Sequence, residues 1–133
     1  MQMLFAVLLF AAMQPIQITS VVWKDAPNLP AGAKMAVLEG DPRHEGMFTI
    51  RVKLPAGAKI APHSHPQPER VTVIWGEARL GFGDGFDIKK TKSFPAGSFY
   101  VTPPEVHHYV YFPRTTILQM TGQGPWELHY LKE

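Results

Sequence analysis

Thirteen prolines and eleven glycines are spread along 133 residues, and they cut the apolar sequence into runs too short for ordinary helices. Gly40-Asp41-Pro42, Pro55-Ala56-Gly57, Gly83-Asp84-Gly85, Pro103-Pro104, Pro113 and Gly122-Gln123-Gly124-Pro125 each stop one run before the next begins. The intervening segments read as strands. Residues 47–54 alternate most clearly: Phe48, Ile50, Val52 and Leu54 fall on one face, and Thr49, Arg51 and Lys53 on the other. Residues 34–38, 69–75, 78–82, 98–102, 107–112, 115–121 and 126–131 complete the predicted set. Short strands at this spacing point to an all-β sandwich or barrel. The length fits one domain, placed at residues 21–133.

Residues 1–20 stand apart. Met3 to Met13 is an unbroken apolar run, too short for a membrane-spanning helix and of the right length for the apolar core of a signal peptide. No Lys or Arg precedes it, and Ile18-Thr19-Ser20 is only a passable cleavage end. The expectation is export, hence a secreted or periplasmic protein. The alternative is an apolar strand or helix packed on the domain, with a cytoplasmic location. No stable membrane span is expected.

Net charge is +2 and the charges are scattered, without the basic stripe that neutralises phosphates, so nucleic-acid binding is not expected. There is no cysteine, which excludes disulfides, iron–sulfur clusters and thiolate zinc sites. A metal held by this chain must use nitrogen and oxygen ligands.

Two histidine clusters offer such ligands. In Gly57-Ala-Lys-Ile-Ala-Pro-His63-Ser-His65-Pro-Gln-Pro-Glu69, alternate side chains of an extended segment point the same way, so His63 and His65 can aim at one point. Glu69 shares its parity with Val71 and Val73. If those face the core, so does the carboxylate, and a buried carboxylate needs a partner. The second cluster, Pro95-Ala-Gly97 through Pro103 to His107-His108, presents adjacent histidines on opposite faces of a strand. Both faces are apolar or aromatic, so parity does not choose between them.

With these residues the chain resembles the cupin superfamily. The first cupin motif is Gly, five residues, His-x-His, three or four residues, Glu, six residues, Gly, and it is matched at Gly57, His63, His65, Glu69 and Gly76. The second is similar to Pro95-x-Gly97 followed by Pro103, with a histidine five residues on, which selects His108. The chain also looks like small single-domain cupins that share Trp23-x-Asp25-Ala26-Pro27 and the Gly-Asp-Pro and Gly-x-Gly-Pro segments. The resemblance spans Trp23 to Leu131. One departure is Glu105, where many cupins have Gly in the turn before the histidine.

The resemblance implies a jelly-roll barrel holding one divalent transition metal ion on His63, His65, Glu69 and His108, and frequently a homodimer. Three neutral imidazoles and a carboxylate suit iron, manganese, nickel, copper or zinc. The functional expectation is a metal-dependent, dioxygenase-like enzyme acting on a small oxygen-rich or phenolic molecule, with Glu69 able to leave the metal and act as base. The rival is a non-catalytic metal-dependent binding or sensing domain. Gln119, in a late strand, is the candidate for a hydrogen bond to a ligand or metal-bound water. His107 is turned away from the metal, His129 belongs to the surface or an interface, and His44 to a solvated turn. Tyr100, Tyr109, Trp75 and Trp126 read as core or interface aromatics, and Arg51 as lying outside the barrel. The aromatic-rich ends, including Trp23 and Trp126, are the expected dimer contacts.

Overall fold

The structure, a computed structural model, describes residues 16–131. Eleven strands run in chain order: β1 (Lys24–Asp25), β2 (Lys34–Glu39), β3 (Gly46–Leu54), β4 (Lys59–Ser64), β5 (Glu69–Trp75), β6 (Glu77–Phe82), β7 (Lys92–Pro95), β8 (Phe99–Thr102), β9 (His108–Tyr111), β10 (Thr116–Gly124) and β11 (His129–Tyr130). They form two antiparallel sheets in the orders β1-β2-β3-β10-β5-β8 and β11-β4-β9-β6-β7. Among the described residues, helix is confined to two short 3-10 turns, Ile18–Ser20 and Ile88–Lys90.

The core lies between the sheets. Phe48, Ile50, Val52 and Leu54 of β3 are buried as their alternation requires. They meet Val71 and Val73 of β5 and Leu118 and Met120 of β10, with Ile60, Ala78, Leu80 and Val110 supplied by the facing sheet. Each buried aliphatic side chain contributes on the order of 1.5–3 kcal/mol. Tyr109 is fully buried although it faces away from Val110. Its ring lies over Gly81 on β6, packs against Phe86, and its hydroxyl donates to the Asp87 carbonyl. Any side chain at Gly81 would occupy the space of that ring.

Four elements differ from expectation, among them β4, where Pro62 and a register shift break the alternation that marks the predicted strands. β1 and β7 are edge strands that carry charges or proline and lack an alternating apolar signal. The predicted strand over residues 126–131 pairs only at His129 and Tyr130, because residues 125–128 form a connector that crosses the end of the barrel. The expected signal segment, residues 1–20, lies outside the described residues except for its last five. Among the described residues, no helix is long and apolar enough to cross a membrane.

Candidate metal centre

The irregular start of β4 determines the site. Ile60 and His63 both face inward, which strict alternation forbids, and the pairing of β4 with β9 shifts register between them. That bulge places His63 directly opposite His108. His65 follows at the end of β4. The imidazole centroids are 4.2 Å apart for His63 and His108, 4.8 Å for His63 and His65, and 5.2 Å for His65 and His108. All three rings are buried, and they could hold one metal ion, with one nitrogen from each lying within 4.8 Å of the others.

Hydrogen bonding settles which nitrogen each ring offers. His63 Nδ1 lies 2.7 Å from the Ala61 carbonyl, His65 Nδ1 2.8 Å from that of Glu127, and His108 Nδ1 2.9 Å from that of Val106. A carbonyl only accepts, so each Nδ1 carries the proton and donates, and each Nε2 keeps a lone pair. His65 Nε2 is fully buried and has no hydrogen bond. An orphaned buried acceptor is rare in a protein interior, and a cation is a fitting partner for this one, with the His63 and His108 rings close beside it.

Glu69, the first residue of β5, reaches this cluster from the opposite sheet. Its Oε1 is 3.1 Å from His65 Nε2, off the line needed for a hydrogen bond, and its Oε2 accepts from Trp126 Nε1. Burial pushes the Glu69 carboxyl up, but His65 and the indole N–H outweigh it and hold the group below its ordinary 4.5. Burial pulls His65 down, and the Glu69 carboxylate outweighs that and raises it. Burial, helped by the neighbouring His108, depresses His63 to about 3, and burial also depresses His108. The set therefore keeps at least two imidazoles neutral and one carboxylate ionised, as a divalent cation requires.

The turn before His108 shows what the departure at Glu105 means. Its φ is 61°, the left-handed region that glycine occupies without strain. Its backbone N–H donates to the His65 carbonyl, tying the two histidine segments together.

The structure does not bring Gln119 to the site. Thr116, Leu118 and Met120 face inward, so Gln119 lies on the outer face of β10, where its Oε1 accepts from Arg51 Nε at 3.0 Å. This corrects the expectation of a contact with a ligand or metal-bound water and agrees with Arg51 lying outside the barrel. His107 turns outward to Asp84, His129 pairs with Glu127 at the surface, and His44 is exposed.

Trp126 is the functional residue that sequence reasoning missed. It packs on the core, as the reading of it as a core or interface aromatic has it, and its indole N–H also donates to Glu69, which that reading does not contain. No periodicity marks it, because its stretch of chain is not in a strand. Tyr100 and Thr102 also line the cavity beside the histidines, on the inward parity of β8. Burial and the nearby Glu69 charge keep the Tyr100 phenol protonated.

A two-sheet jelly roll with three inward histidines and a facing glutamate defines a cupin-type β-barrel. The chain belongs to the ChrR cupin-like domain family, which it matches over residues 11–127. Among curated proteins it is 29% identical over 87 residues to germin-like protein 3-1 of Oryza sativa subsp. japonica, a match covering 61% of this chain and 39% of that protein's length. Many solved structures share the fold. An RmlC-like cupin from Shewanella frigidimarina aligns with TM-score 0.65 at 21% identity, over 84% of this chain and 91% of that one. The polyketide cyclase RemF of Streptomyces resistomycificus gives TM-score 0.74 at 14% identity, over 91% and 87%. An acetylacetone dioxygenase from Acinetobacter johnsonii gives 0.64 at 20% identity, over 91% and 78%.

Proposed function

We propose that the protein binds one divalent transition metal ion through Nε2 of His63, His65 and His108 together with the Glu69 carboxylate, and that it acts as a metal-dependent, dioxygenase-like enzyme on a small oxygen-bearing molecule. The observation that carries the metal reading is the set of three Nδ1–H groups committed to backbone carbonyls, which leaves three Nε2 lone pairs facing one point. When bound, the ion would supply a Lewis acid able to hold a substrate oxygen. Trp126 occupies one Glu69 oxygen and so orients the other toward the imidazoles. Held below its ordinary range, Glu69 is a weak proton acceptor and serves better as a ligand than as a base. Tyr100 is the protonated hydroxyl available beside the cluster. The dioxygenase and cyclase among the similar folds support this class of chemistry for the site.

One observation favours the rival, a non-catalytic binding domain: the cavity is narrow, about 20 Å³, and most of its wall is apolar. The hydroxyls of Tyr100 and Thr102 in that wall favour catalysis. Metal analysis of protein purified without a histidine tag tests the shared premise. Near one ion per chain is expected in the wild type, almost none in His65→Ala, and the wild-type amount in His107→Ala. Loss in His107→Ala with retention in His108→Ala would refute the assignment.

The same reading includes a homodimer. Trp126 is turned inward, so it does not serve as the contact. The free edge strand β8 exposes Phe99 and Val101, with Trp75 exposed on neighbouring β5. A second copy related by a two-fold axis would cover this edge. Light scattering should report twice the chain mass at micromolar concentration, and a monomer would contradict it.

A further inference from the structure

At about 20 Å³, the metal cavity has room for an ion or a water and for no organic ligand. Behind its wall lies a second hollow of about 220 Å³, open to the surface between the Pro27–Leu29 turn, Met35 and the Pro42–Arg43 turn. Two side chains, Leu29 and Trp126, wall both spaces.

We infer that this groove seats the apolar body of the ligand whose oxygens reach the histidine cluster, and that the Trp126 indole is the partition that swings aside to admit it. The inference rests on the metal-binding reading above. Trp126 suits the role by its connections. It sits on the unpaired connector between β10 and β11, its only side-chain hydrogen bond goes to Glu69, and its indole is half-buried. Its backbone is anchored separately, with N–H donating to the Pro42 carbonyl, and the next carbonyl, of Glu127, accepts from His65. Rotation of the indole therefore opens the wall while the His65 Nδ1 bond to the Glu127 carbonyl stays in place, although it gives up the stacking of the indole on the His65 ring, centroids 6.4 Å apart. The same rotation withdraws the N–H from Glu69, so access and the freedom of that carboxylate change together.

The groove also restricts what it can take. Pro27, Leu29, Met35, Pro42 and Trp126 give it an apolar wall. Its one cation, Arg43, is held by both oxygens of Asp41 at 3.0 and 2.8 Å. Among the described residues that line it, no free charge is left to hold a phosphate or a polyanion. The class that fits is a compact aryl or alkyl molecule with oxygen donors at one end, such as a β-diketone or a phenol.

The test uses the Co²⁺-loaded full chain and its visible ligand-field absorption, with two probes. Azide, a three-atom anion, asks little more room than the water it would replace beside the ion, whereas benzoylacetone carries a phenyl ring that needs the groove. Asn28→Trp fills the groove at an exposed residue outside the metal cavity, and Pro27→Trp on the same rim is the independent check. Expected are wild-type azide affinity in both variants and benzoylacetone binding weakened by at least about tenfold. Unchanged benzoylacetone binding in both variants, equal weakening of both probes, or failure of the wild type to bind benzoylacetone while it binds azide would overturn the inference. Absence of any Co²⁺ spectrum overturns the metal-binding reading itself, and this inference with it.

Discussion

Acidifying the metal-free protein from pH 7 to 4.5 should destabilise it through the histidine cluster. Burial and His108 hold His63 at about 3, against 6.5 for an exposed imidazole. The unfolded chain takes up this proton as the pH falls through 6.5, whereas the folded chain refuses it until near pH 3. Between those values each pH unit costs about 1.4 kcal/mol per proton. From 6.5 down to 4.5 that is two units, so His63 alone removes about 3 kcal/mol. His108, also depressed by burial, acts in the same direction. His65 acts oppositely, because its raised value adds stability below pH 6.5 that is lost as pH rises through its folded value. The His63 shift is the largest of the three, so the cluster as a whole loses stability in acid, and below 4.5 protonation of Glu69 adds to it. The assay is urea unfolding of chelator-treated protein at half-unit steps of pH, repeated with His63→Gln. A total of about 3 kcal/mol is a large part of the stability of a domain this size, so the midpoint should fall steeply in the wild type and much less in the variant. Constant stability between pH 6.5 and 4.5, or equal slopes in the two proteins, would refute the argument.

Further outcomes concern the scaffold. Glu105→Gly removes a side chain from a left-handed backbone position and should raise stability by about 1 kcal/mol, read as a higher urea midpoint with metal content unchanged. Gly81→Ala drives a methyl group into the Tyr109 ring and should lower stability by roughly 1–3 kcal/mol, seen as a lower melting temperature together with altered tyrosine near-ultraviolet dichroism. Chelation of metal-loaded wild type should lower the melting temperature, whereas the same treatment of His65→Ala should not move it.

Much of this architecture is legible in the residues because turn formers and alternation agree. Residues 69–75 are a strand with the expected bounds, and the inward set of β3 is the one its period predicts. The histidine cluster was legible for a different reason. Alternation paired His63 with His65, but only the motif spacing separated His108 from His107, since both faces of β9 carry bulky side chains. The bulge that turns His63 inward, out of step with Ile60, has no local signature. Gln119 was misplaced because β10 mixes apolar residues on both faces, with Ile117 outward and Leu118 inward, so its parity is clear only once the sheet is paired. Trp126 was illegible because what it touches depends on where a connector crosses the barrel.

The partners of the three Nδ1 atoms are peptide carbonyls, at Ala61, Val106 and Glu127. No single substitution can delete a carbonyl, so the groups that set the tautomers are beyond the reach of ordinary point mutation. The side chains at those three positions remain free to vary, and so do the walls of the cavity and the groove. A lineage built on this arrangement can vary the walls around the site while inheriting the orientation of its three imidazoles intact, because that orientation is encoded in the path of the backbone.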